Sequence, residues 1–153
     1  MKLRIITESD HGIRFKDIIY LFRGIGGPPN PFDRIGRWWS TNPYYALSFG
    51  SVNHNQTFVA GISKNDLTQG LQQGIINDVT QDEYPNFIFQ NDPHGARKLT
   101  PQEVLKFRQL SGDVDQQGNK IVDPNAPKGP GSGGLFKQLF DQDAIDAAYQ
   151  VMG

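Results

Sequence analysis

Apolar and polar positions along this chain fall into short blocks separated by turn-forming residues. Leu3, Ile5 and Thr7 alternate with Arg4, Ile6 and Glu8 before Ser9-Asp10-His11-Gly12, a pattern that predicts a strand and a turn. Ile18-Ile19-Tyr20-Leu21-Phe22-Arg23 is β-branched and aromatic and too short for a helix, so it predicts a buried strand. Prolines and glycines then keep Gly24 to Pro31 out of both helix and strand. Gly36 to Ser40 predicts a strand. Thr41-Asn42-Pro43 predicts the start of a helix that runs to Gly50, because a capping side chain followed by Pro suits a first turn. Thr57 to Ile62 and Phe87 to Phe89 predict two further strands, whereas the polar stretch 71–82 is ambiguous. Thr100-Pro101-Gln102-Glu103 is a capping box, leading a short helix through Leu110 that stops at Ser111-Gly112.

The texture changes after Gly112. Residues 113–134, with GDVDQQGNK and DPNAPKGPGSGG, hold too few apolar groups to offset the entropy of ordering, and predict a flexible Gly/Pro-rich linker. Residues 135–153 recover a helical spacing through Leu135, Phe136, Leu139, Phe140, Ile145, Ala148 and Val151. The expected organisation is thus a domain over 1–112, a linker over 113–134 and a C-terminal helix over 135–153 that docks on the domain or on a partner. There are no internal repeats.

A length of 153 residues fits one ordinary domain. With 15 basic against 16 acidic side chains, net charge is −1, which argues against a general polyanion binder relying on phosphate neutralisation. Cysteine is absent, so disulfides, thiolate metal sites and a cysteine nucleophile are excluded. Three histidines without HExxH spacing argue against a protein-built zinc site, and no metal is expected. No apolar run approaches the ~20 residues of a membrane span. The opening MKLRIITESDHG is too short and polar for a signal peptide, so the expectation is a soluble, cytoplasmic chain with no membrane partner. The acidic side chains are thirteen aspartates and only three glutamates, Glu8, Glu83 and Glu103. A mechanism that needs a glutamate has those three to choose from.

The densest chemistry lies between Tyr20 and Phe49. Arg23 offers a rigid fork of donors for phosphate, and Gly24 lets a ligand approach bare backbone. Trp39 and Phe49 lie ten residues apart across a strand-to-helix turn, where they can face each other across a flat ring. Over roughly residues 15–90 the chain resembles the NAD-binding part of the ADP-ribosyltransferase superfamily, bacterial or phage type. Arg23-Gly24 is similar to its Arg-Gly strand. Trp39-Ser40-Thr41, followed by Ala46 and Phe49, is similar to its aromatic-Ser-Thr element, and Phe58 to Leu67 resembles the next strand. The resemblance implies an α+β fold of two small packed sheets with flanking helices and NAD, as substrate, in the cleft between them. It implies that Arg23 binds NAD phosphate or ribose and that the Gly24 backbone holds the nicotinamide amide. Ser40 would support the catalytic glutamate, with Thr41 beside it, while Trp39 and Phe49 clamp the ring.

That glutamate would stabilise the oxocarbenium-like cation as nicotinamide leaves. Glu83, in Gln81-Asp82-Glu83 before the Phe87–Phe89 strand, matches the family's position. Pro85 departs from the pattern and implies an edge or a bulge. Glu103 is the alternative, although its capping box accounts for it without catalysis, and an aspartate such as Asp82 or Asp92 is a third option. Trp38 and Trp39 must point to opposite faces of a strand, so one belongs to the core; motif position assigns Trp39 to the clamp. Tyr44 and Tyr45 read as packing residues, His94 as a turn residue and His54 as solvent-exposed. Gly24-Ile25-Gly26 is no dinucleotide fingerprint, because the prolines after it exclude the helix that motif requires. The activity implied is transfer of ADP-ribose from NAD to a macromolecular acceptor, expected to be a protein and with a nucleic acid left open, in a host cytoplasm if the chain is phage-encoded. The alternatives are an NAD glycohydrolase on the same fold, or a non-catalytic interaction module.

Overall fold

Ile18–Gly24 forms β1, a strand with apolar side chains on both faces, and it sits inside the sheet rather than at its edge. The computed structural model describes residues 13–24, 38–50, 57–79, 86–91, 93–121 and 139–153, with the side chain of Phe49 outside that set. β1 is followed by β2 (Trp38–Ser40), α1 (Pro43–Gly50), β3 (Thr57–Ser63), α2 (Lys64–Gln73) and β4 (Ile76–Asp78). β5 (Asn86–Phe89), β6 (Arg97–Lys98), α3 (Pro101–Ser111) and α4 (Asp141–Met152) complete the order.

The molecule is α+β. Among the described residues its strands form one sheet of six in the order β4-β5-β2-β1-β3-β6, antiparallel throughout. One open sheet stands where the resemblance implied two packed sheets. The short β2 makes it continuous, pairing with β1 at Phe22–Ser40 and with β5 from Trp38–Ile88 to Ser40–Asn86. The opening strand expected at residues 3–8 and the loop at 25–31 lie outside the described residues.

Two apolar clusters hold the layers together. Ile19, Leu21, Trp39, Ala60, Phe87 and Phe89 of the sheet pack with Leu67 and Leu71 of α2. Phe22 and Val59 pack with Tyr44, Ala46 and Leu47 of α1, Phe107 of α3, and Ala144, Ala147 and Ala148 of α4. Each large side chain buried this way contributes about 1.5–3 kcal/mol. Helix α4 docks by side-chain bonds as well. The Tyr149 hydroxyl accepts the Lys16 N–H at 3.0 Å, and Gln142 pairs with both backbone groups of Arg14.

Two elements run through a stretch whose polarity hid them. Helix α2 shows only Leu67 and Leu71 to the core, yet Ser63 caps it by accepting the Asp66 N–H at 3.1 Å, and Gly74 ends it with φ 76°. Gly70 inside it is a packing glycine: a Cβ there would lie 2.3 Å from Ile76 Cδ1 of β4. Gly70→Ala should therefore cost about 1–3 kcal/mol by overpacking, although alanine is the better helix former, and a urea melt checks it. The capping box at Thr100 is present, and α3 stops at Gly112 in the left-handed conformation.

Residues 113–121, read by composition as the start of a linker, fold back on α3. Asp113 is buried and accepts Arg108 Nε at 2.7 Å, and Val114 is buried and bridged to Lys120. Asp113, paired with both Arg108 and Lys120, and the buried Val114 organise a segment too polar to show a core pattern. Among the described residues no helix is long and apolar enough to cross a membrane.

Candidate functional site

β1 ends in Arg23-Gly24 beside the short β2, and α1 turns back over both strands. Phe22, Arg23, Gly24, Trp38, Ser40, Tyr45 and Ala46 line a cavity of about 330 Å³ at this junction. That lies at the low end of the roughly 300–1,000 Å³ common for small-molecule sites. The walls are mostly aromatic and aliphatic, and Arg23 is the cation among them. Its Nη1 donates to the Trp38 carbonyl at 3.1 Å, which anchors the guanidinium across the two strands. Ser40 is buried, and its hydroxyl oxygen accepts the Asn42 N–H at 3.0 Å. That bond orients the hydroxyl at the strand end.

Of the residues singled out from sequence, Arg23, Gly24 and Ser40 meet at this cavity, joined by Ala46. Trp39 does not. Its side chain is 0 % exposed in the core cluster, whereas Trp38 is 38 % exposed and lines the cavity. The strand pleat is the reason: the aromatic that shares Ser40's face is two residues back, not one. Trp38, not the Trp39 singled out by motif position, therefore stands at the cavity, and period-two counting from Ser40 was the signal that would have shown it. Thr41 is buried and outside the cavity lining, and the backbone of Phe49 continues α1.

The two tyrosines divide. Tyr44 is a packing residue, fully buried with its hydroxyl donating to the Phe107 carbonyl at 2.6 Å, and burial raises its pKa above the usual phenol range. Tyr45, one residue on, lines the cavity. Sequence reasoning missed it, because adjacent aromatics at a helix start carry no mark of which one faces inward.

Glu83, Asp82, Asp92 and His54 lie outside the described residues. The ends of the β4–β5 connection that carries Glu83 in the chain are described. The Val79 N–H donates to the Asn86 carbonyl at 3.0 Å, and Asn86 is the cross-strand partner of Ser40. His94 is exposed in a turn.

Glu103 is committed elsewhere. Both of its oxygens accept from Arg97 at 2.8 Å, and one also accepts the Thr100 N–H that closes the capping box. The hydrogen bond from Arg97 is the main cause that lowers its pKa from 4.5 to about 2. A carboxyl with a depressed folded-state pKa stabilises the fold above its ordinary pKa and loses that contribution as pH falls through the folded one. The Glu103 contribution is thus complete above pH 4.5 and disappears toward pH 2. Glu103→Gln keeps a capping side chain at that position and loses the ion pair, so it should cost about 0.2–1 kcal/mol at pH 7 and nothing below pH 2. Denaturant melts at the two pH values check this. Among the described residues no group of His, Asp or Glu side chains could hold a metal ion.

Compared with known proteins, the chain matches no family model, no curated protein and no solved structure.

Proposed function

We propose that the chain is an NAD-dependent ADP-ribosyltransferase that cleaves the nicotinamide–ribose bond and passes ADP-ribose to a macromolecular acceptor, a protein in the first instance. The observation that carries this reading is the convergence of Arg23 and Gly24 with Ser40 and Ala46 on one cavity whose lining also holds the aromatic side chains of Phe22, Trp38 and Tyr45. The lining joins a cationic fork, bare backbone and flat apolar surface, and it suits a ligand that combines phosphate with an aromatic ring.

In this reading Arg23 holds a phosphate or ribose oxygen, and the Gly24 backbone pairs with the nicotinamide amide. Trp38 and Tyr45 flank the ring, and the oriented hydroxyl of Ser40 steadies the carboxylate of Glu83. As the glycosidic bond breaks, its electron pair leaves with nicotinamide and positive charge grows on the ribose. The Glu83 carboxylate stabilises that charge until a nucleophile of the acceptor bonds to the same carbon and gives up its proton.

Incubation with labelled NAD and a cell lysate tests the reading. A labelled macromolecule together with free nicotinamide supports a transferase. Nicotinamide and free ADP-ribose in equal amounts, with nothing labelled, make water the acceptor and the chain a glycohydrolase. If NAD is neither consumed nor able to raise the melting temperature, the chain is an interaction module. A ligand at a hundred times its Kd should add about 2.7 kcal/mol of stability.

A further inference from the structure

Asn42 is not in the lining of this cavity, yet it touches residues that are. It is 1 % exposed at the head of α1, between Ser40 and the helix. Its N–H donates to the Ser40 hydroxyl oxygen at 3.0 Å. Its Oδ1 accepts the N–H groups of Tyr44 at 2.9 Å and Tyr45 at 3.3 Å, and its carbonyl accepts the Ala46 N–H at 3.4 Å. Three residues of the cavity lining, Ser40, Tyr45 and Ala46, are thus bonded to this one residue. With Oδ1 turned to the helix, Nδ2 faces the other way and donates to the Leu139 carbonyl at 3.5 Å, just ahead of α4. Beyond that bond, Ala144, Ala147 and Ala148 of α4 pack in one cluster with Tyr44, Ala46 and Leu47 of α1.

We propose that Asn42 is a positioning residue for the NAD site: it sets the first turn of α1, and with it Tyr45, Ala46 and the Ser40 hydroxyl, at one distance from Arg23 and Trp38. The inference rests on the NAD reading of the cavity. An ordinary helix cap needs only an acceptor for one or two N–H groups. Asn42 supplies that and has its amide braced from the opposite side, so the cap is held in one rotamer. A cavity wall that rides on a single helix turn depends on that turn being held. Small displacements of a binding group lose affinity out of proportion to the contact itself.

The test compares two matched lesions. Asn42→Gly and Thr100→Gly each remove a capping side chain and leave a residue tolerated at that position, one on α1 and one on α3. The quenching of tryptophan emission on titration with NAD is measured well below the melting temperatures of both variants. Asn42→Gly should raise the NAD Kd at least tenfold, Asn42→Ser, which restores a capping acceptor but not the bond to the Leu139 carbonyl, should recover only part of the loss, and Thr100→Gly should stay within twofold of wild type. Affinity unchanged in Asn42→Gly, or an equal loss in Thr100→Gly, overturns the positioning role while the NAD reading stands. A wild-type chain that does not bind NAD overturns both.

Discussion

Trp39→Ala should lower stability by about 3–5 kcal/mol, a drop of roughly 6–20 °C in melting temperature, whereas its neighbour Trp38→Ala should lower it by about 1 kcal/mol or less. Trp39 is fully buried among Ile19, Leu21, Ala60 and Phe87, so truncation leaves a cavity that rigid strands on both sides cannot close. Trp38 already shows 38 % of its surface to solvent and gives up fewer contacts. NAD affinity should fall in the opposite order. A stacked aromatic contributes about 1–3 kcal/mol to holding a base, so Trp38→Ala should weaken NAD binding by roughly 5- to 150-fold. The Trp39 variant, where it remains folded, should bind within a few-fold of wild type. Thermal melts and NAD titrations on the same two proteins decide it. A Trp38 variant with full affinity would remove the aromatic wall from the account.

The second large effect concerns the charge that develops during bond breaking. Glu83→Gln preserves size and hydrogen bonding but removes the negative charge, so nicotinamide release should fall about 100- to 1,000-fold while NAD affinity changes little. Arg23→Ala should do the reverse in kind. It removes the cationic fork whose Nη1 is anchored on the Trp38 carbonyl, and the loss appears first in affinity, by roughly 10- to 150-fold. Arg23→Lys should recover only part of it, because a point charge cannot donate in two directions from one plane. If Glu83→Gln retains the wild-type rate, the role passes to an aspartate such as Asp82 or Asp92, since Glu103 is held by Arg97 and the α3 cap.

What the chain disclosed in advance, and what it hid, follows from how local each signal is. β1, β3, β5 and α3 were legible because each carries its own pattern: an apolar run, or Thr100 and Glu103 three residues apart. Helix α2 was not, because Leu67 and Leu71 are its only large apolar side chains and its cap depends on Ser63, which reads equally as a turn residue. The fold of residues 113–121 was invisible for a related reason. It rests on the Arg108–Asp113 pair, a contact that no periodicity announces. At the cavity, Arg23, Gly24 and Ser40 come together because each stands at the end of its strand, a position the chain order already marks. The choice between Trp38 and Trp39 was open to period-two counting from Ser40, but which face of β2 meets the cavity is set by its pairing with β1 and β5. Tyr45 and Asn42 act through the direction in which α1 leaves the sheet, a tertiary property.

In the proposed reading this cavity takes NAD and the chain breaks it. Nicotinamide release from NAD is to be measured for the wild-type chain beside Arg23→Ala and Glu83→Gln. The wild type should release nicotinamide steadily, with release restored at high NAD in Arg23→Ala and lost at every NAD concentration in Glu83→Gln. No release by the wild type, or equal release by all three, would contradict that reading.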